Sequence, residues 1–170
     1  IRAHALTGEK KYLEVAKRAF NSFQAEMDQG GVVYTDEDGY LWLEEAIVFP
    51  PTHILNGFLW ASWGISDLYL YTNDAQVKRI YDQGVETLLK YLPSYDTGFW
   101  SLYEHAGRKM QMLASPFYHR LHIVQLRIMG ILTDQEIFNI YAEKWEKYQR
   151  NKFKQYFSLA YKLVFKLFNY

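Results

Sequence analysis

The chain has 170 residues, 49% of them hydrophobic and 22% charged, with 19 basic and 19 acidic side chains in balance. This is enough for one domain with a real core, and it excludes both a disordered chain and a protein drawn to nucleic acid by a global positive field. The absence of cysteine excludes disulfides, thiolate catalysis and cysteine-zinc sites, and it leaves the compartment open.

Reading along the chain, residues 1–7 look like the end of a helix already under way, so a C-terminal piece of a longer protein is expected. No secretory signal is evident, and no apolar run reaches the ~18 residues of a membrane span. Tyr12, Val15, Ala16, Ala19, Phe20, Phe23 and Met27 fall at three- and four-residue steps, which predicts a helix over 9–27 with one apolar stripe. Residues 32–34 and 40–42 read as short strands around a turn at 36–39. Residues 54–71 are apolar on nearly all sides and predict an inner helix, while 74–92 are amphipathic and predict its outer partner. A strand-like insertion at 99–103 follows the turn-rich run 92–98. The inner and outer pattern then repeats over 116–132 and 134–148. An inner helix, a tight turn and an outer helix make an αα-hairpin.

The turns repeat as well. Thr7, Thr72 and Thr133 each precede Gly, Asn or Asp and the start of an amphipathic helix. A period of roughly sixty-odd residues is that of hairpins that stack or close into a ring. The expected fold is therefore mainly all-α, a partial (α/α) toroid of αα-hairpins with short β-hairpin insertions, over residues 1–149. Residues 150–170 differ in composition. Arg150, Lys152, Lys154, Lys162 and Lys166 accompany an apolar stripe of Phe153, Tyr156, Phe157, Ala160, Tyr161, Val164 and Phe168, with no acidic residue. This basic amphipathic helix suits docking onto the protein, contact with an anionic membrane surface, or guidance of an anionic polymer.

Two tyrosines carry the most functional information. Tyr103 follows Trp100, Ser101 and Leu102, and Tyr118 opens a helix after Ser115, Pro116 and Phe117. Each stands where an element begins, a position that can aim a side chain into a cleft. From Ile54, Leu55, Asn56 and Gly57, through residues 92–98 and 101–103, to Tyr118, His119, His122, Ile123, Gln125 and Leu126, the chain resembles the C-terminal domain of D-glucuronyl C5-epimerases. These enzymes invert glucuronate to iduronate in heparan-type polymers. The resemblance implies a helical toroid joined to a β-rich region, a cofactor-free isomerase, an anionic uronate polysaccharide as partner, and a homodimer as a state open beside the monomer. It also implies that Tyr103 and Tyr118 belong to the catalytic set.

The chain departs from the family at two positions. Trp42, Leu43, Glu44 and Glu45 match a run followed in the family by a further catalytic tyrosine, and here Ala46 takes that place. Glu45, Glu44 or His119 can supply the missing proton carrier. The family's arginine three residues after the first tyrosine falls on Ala106, and Arg108 or Lys109 is near enough in sequence to replace it.

The chemistry itself sets the requirements. Inversion at C5 needs a base on one face of the sugar, an acid on the other, and cations or donors for the charge developing on the carboxylate. Tyrosine suits both proton roles when nearby positive charge lowers its pKa, and a carboxylate serves as base when burial raises its own. Tyr103, Tyr118 and Glu45 are accordingly the catalytic candidates. Glu44, Asn56, Arg108, His119, Arg120 and His122 are the substrate-binding candidates. Tyr118, His122 and Gln125 share one helix face and form a candidate hydrogen-bonding row. His119 and His122 have metal-like spacing, but no third ligand stands at a suitable interval, so no metal site is expected. Gly57 inside a helix costs ~1 kcal/mol relative to Ala, which calls for a close approach of backbone or substrate. Two rival readings use the same residues: a uronate lyase that eliminates after the same proton abstraction, and a glycan-binding module that has lost activity.

Overall fold

The computed structural model describes residues 1–107 and 109–169. The helical periods resolve into three αα-hairpins. Helix α1 (Arg2–Thr7) pairs with α2 (Lys10–Phe20), α3 (Leu55–Thr72) with α4 (Ala75–Tyr91), and α5 (Pro116–Thr133) with α6 (Glu136–Arg150). Helix α7 (Lys152–Asn169) follows. The described residues are thus mainly helical, with one two-stranded sheet. None of these helices is long and apolar enough to cross a membrane.

The repeated threonines end their helices by one device. Oγ1 of Thr7, Thr72 and Thr133 donates to the carbonyl of Ala3, Leu68 and Met129, at 2.8, 2.8 and 2.6 Å. Each hydroxyl also accepts the backbone N–H two residues on, at 3.2 to 3.4 Å. The residue between, Gly8, Asn73 or Asp134, is left-handed with φ of 72°, 53° or 55°. The hydroxyl therefore satisfies a carbonyl of the last turn while the left-handed residue reverses the chain. Asp74 then caps α4 by accepting from Gln76 and Val77.

The inner helices α3 and α5 pack against each other and line the core with Leu55, Phe58, Leu59, Ile65, Ile123, Leu126 and Met129. Trp42, Trp100 and Trp145 are fully buried around them. Burial of side chains of this size supplies roughly 1.5–3 kcal/mol each, which dominates helix propensity in fixing the arrangement.

The helix predicted over 9–27 stops at Phe20 and continues as two 3₁₀ turns, Asn21–Gln24 and Met27–Gln29. Ser22 causes part of this, since its Oγ takes the Ala19 carbonyl and its own carbonyl accepts from Val32. Strands β1 (Val33–Thr35) and β2 (Leu41–Leu43) pair antiparallel with Tyr34 opposite Trp42. Asp36 pins this hairpin to α4, accepting from the Trp42 indole at 2.9 Å and the Tyr91 hydroxyl at 2.8 Å. Burial alone would raise its pKa, yet these bonds and those from Tyr40 and Asp38 bring it below the usual carboxylate value.

The strand expected over 99–103 forms only isolated bridges, Asp96 with Ser101 and Leu102 with Leu113. Its groups pair on two sides instead, Leu102 N–H with Tyr95 and Tyr103 N–H with Met112, so no continuous ladder develops.

Helix α7 lies against α5 and α6, with Ser158 and Phe165 buried. Tyr161 donates to the Gln111 carbonyl at 3.0 Å, and Phe157 meets Phe99 edge to face. The docked face runs along Ser158, Tyr161, Lys162 and Phe165. Phe153, Tyr156 and Val164 of the predicted stripe stay exposed. Small Ser158, its hydroxyl tied to the Gln155 carbonyl, lets this side of α7 approach the domain.

Candidate active site

Tyr103 is held by its backbone. Its N–H donates to Met112 and its carbonyl accepts from Leu55 N–H, the first residue of α3, at 2.8 and 3.1 Å. Tyr118 stands in the first turn of α5, where Ser115 Oγ accepts its N–H at 3.3 Å and Pro116 preorganises the turn. The two half-buried rings meet edge to face with centroids 4.8 Å apart. The sequence-predicted tyrosines are therefore brought together, from a loop and from the first turn of the helix that follows it.

Glu45 joins them. It follows β2 on an exposed stretch, and its carboxylate lies across α3 at Gly57: a Cβ there would stand 2.2 Å from Glu45 Oε2 and 2.8 Å from its Cβ. This first-turn glycine of α3 is a passage for the glutamate, as the cost of a glycine within the helix implied. Tyr103 lies well above the ordinary tyrosine pKa, pushed there by burial first, then by the charge of Glu45 and by Tyr118, with Glu104 adding to the effect. At neutral pH it is a protonated phenol.

The remaining candidates divide by depth. Glu44 is buried and committed to His53, with Oε1 2.5 Å from Nδ1 and Oε2 accepting the His53 N–H at 3.0 Å. His53 in turn stacks on Trp42 at 3.9 Å. Asn56, His119 and His122 are buried between helices. His119 Nδ1 accepts from Ser101 N–H at 3.2 Å, so its Nε2 carries the proton donated to the Trp145 carbonyl at 3.0 Å. Ser101 Oγ bridges the two imidazoles at 2.7 and 3.1 Å, and His119 stacks on Trp100. Burial pushes the His119 pKa down to about 4 and that of His122 down to about 3, so both are neutral.

The shared face of Tyr118, His122 and Gln125 thus points into the protein beyond its first turn. Gln125 Nε2 donates to the Asn56 carbonyl at 3.0 Å and ties α5 to α3. Arg120 and Lys109 are exposed, and Arg108 lies outside the described residues. Among the described residues no three His, Asp or Glu side chains converge on a metal position.

Two groups beside the tyrosines were not singled out from the sequence. Glu104 is buried next to Tyr103, whose pKa it helps to raise. Lys162 of α7 reaches over both rings, with Nζ 5.4 Å from the Tyr103 centroid and 5.8 Å from that of Tyr118. Adjacency to Tyr103 could have flagged Glu104. Nothing local distinguishes Lys162 from the other lysines of its helix.

A family model described as the C-terminus of D-glucuronyl C5-epimerase matches residues 1–147. The chain belongs to this epimerase family. A D-glucuronyl C5-epimerase of Caenorhabditis elegans is 30% identical over 166 residues, which cover 89% of this chain and 27% of that protein. An uncharacterized protein of Methanocaldococcus jannaschii is 31% identical over 149 residues, covering 85% of this chain and 47% of that protein. The chain therefore spans less than half the length of either relative. The family match ends at the last turn of α6, so the tyrosine pair and Glu45 lie within the epimerase segment and Lys162 lies beyond it.

Proposed function

We propose that this domain inverts D-glucuronate to L-iduronate residues within an anionic polysaccharide, by proton abstraction and return at C5 without a cofactor. The three αα-hairpins are read as part of an (α/α) toroid whose loop end presents the site. The observation that carries the reading is the contact of Tyr103 with Tyr118 under the charge of Glu45.

Rings 4.8 Å apart leave no room for a pyranose between their faces, since each stacking contact alone takes ~3.5–4 Å. The two tyrosines therefore address one face of the sugar as a unit. The opposite face falls to Glu45, which takes the C5 proton while the C–H electron pair moves toward the carboxylate. Tyr103, kept protonated by burial and by Glu45, returns a proton to C5 from the other side. Neutralisation of Glu45 on taking the proton removes one of the charges that raise the Tyr103 pKa, so the phenol becomes a better acid at the moment it must donate.

One observation favours a second reading. Ala46 occupies the position at which the family resemblance implies another catalytic tyrosine, and a glycan-binding module without turnover would tolerate that loss. Incubation of the full-length protein with a glucuronate polymer separates these outcomes. Iduronate in the product spectrum without ultraviolet absorbance supports inversion. Rising absorbance identifies elimination, and binding with no change in the polymer identifies the module.

A further inference from the structure

C5 chemistry places negative charge on the substrate carboxylate, and a cation in contact with that group stabilises the transition state more than the ground state. Of the cations predicted for this task, Arg120 and Lys109 project into solvent. Lys162 is placed differently. It is half-buried, it lies 5.4 and 5.8 Å from the centroids of the two tyrosines, and its neighbours fix it there. Tyr161 is bonded to the Gln111 carbonyl, and Phe165 and Ser158 are buried one turn to either side.

We propose that Lys162, carried by α7 beyond the segment matched by the family, is the contact for the uronate carboxylate at the tyrosine site. The proposal rests on the reading of the site as one for uronate. C5 is one bond from the carboxylate carbon, so a salt link at Lys162 holds C5 beside the hydroxyls of Tyr103 and Tyr118.

The surroundings of Lys162 support a ligand of this charge. Burial first, and then Lys166 on the same helix, disfavour its ammonium form, while Glu104 favours it. The tyrosines bring only their negative ring faces. A substrate carboxylate adds a charge-assisted hydrogen bond of ~2.7–2.9 Å and favours the charged form. A lysine that merely balances Glu104 would have no such preference for carboxylate ligands.

The test measures binding of a heparosan oligosaccharide and of its carboxyl-reduced counterpart to the full-length protein and to its Lys162→Gln, Lys162→Met and Lys162→Arg variants. Exchange at C5 is followed in parallel. Loss of a charge-assisted contact predicts roughly 10- to 100-fold weaker binding of the carboxylate ligand by Lys162→Gln and Lys162→Met. The reduced ligand should bind these variants and the parent equally, and Lys162→Arg should keep part of the carboxylate preference. The methionine variant retains the apolar stem, so an undocked α7 is distinguished from a lost charge. A carboxylate preference unchanged in both neutral variants overturns the proposal, as does equal weakening toward both ligands. A Lys162-dependent preference without C5 exchange in the parent leaves the carboxylate contact standing and sinks the epimerase reading alone.

Discussion

Gly57 and Glu45 occupy each other's space: the glycine's missing Cβ is where the glutamate carboxylate passes, 2.2 Å from Oε2. A glycine at the third residue of the 18-residue helix α3 is thereby explained by a side chain from the preceding loop.

Replacement of Gly57 by alanine tests this relationship through the sign of the effect. At an unobstructed helical position the change would stabilise by up to ~1 kcal/mol. Here the new methyl meets both the carboxylate and the Glu45 Cβ, and overpacking of this kind costs about 1–3 kcal/mol. Gly57→Ala is expected to lower the thermal midpoint and to displace Glu45, and a Glu45→Ala background should relieve much of the cost. A Gly57→Ala variant more stable than the parent would show that Glu45 does not lie across α3.

Glu44 and Glu45 are adjacent in sequence and opposite in role. Glu44 holds His53 from a buried position, so Glu44→Ala leaves His53 without its acceptor and should cost roughly 3 kcal/mol of stability. Glu45→Ala removes an exposed carboxylate and should change folding stability by less than about 0.5 kcal/mol while abolishing C5 exchange. Paired denaturation and exchange measurements check both expectations, and equal loss of stability in the two variants contradicts the division.

The buried histidines make stability depend on pH. With pKa values held down to about 4 at His119 and about 3 at His122, the folded state binds fewer protons than the unfolded chain below about pH 6.5. Their contribution is complete above that pH and is lost as the pH falls toward the folded values. The loss by pH 5 amounts to roughly 2 kcal/mol per imidazole. Denaturant titrations at pH 7 and pH 5 should show it before most carboxylates titrate. Equal stability at the two values would mean that the imidazoles are charged or reach solvent.

Much of the fold is legible in the sequence because its helices are long and periodic, and because each Thr turn states its own geometry. Inner helices α3 and α5 and outer helices α4 and α6 start and end within a few residues of the predicted spans. The early end of α2 was not legible, since it depends on Ser22 finding Val32 across a loop. At the site, Tyr103, Tyr118 and Glu45 converge. Periodicity placed His122 and Gln125 on the face of Tyr118, but it does not say what covers that face, and α3 and Trp145 enclose it after one turn. In the sequence Lys162 is one charge of an amphipathic helix among several. Its place above the tyrosines comes from the docking of α7 through Tyr161 and Phe165, a long-range packing event with no local signature.

The proposed epimerisation requires proton exchange at C5 through the tyrosine pair. Its most direct measurement is deuterium incorporation at C5 of a glucuronate polysaccharide in deuterated water, with the full-length protein and its Tyr103→Phe and Tyr118→Phe variants. The phenylalanine rings preserve the 4.8 Å edge-to-face packing and remove only the hydroxyls. The account predicts incorporation with inverted residues for the parent and a loss of at least about 100-fold in either variant, as for removal of a general acid or base. Undiminished exchange in both variants, or none in the parent, would contradict it.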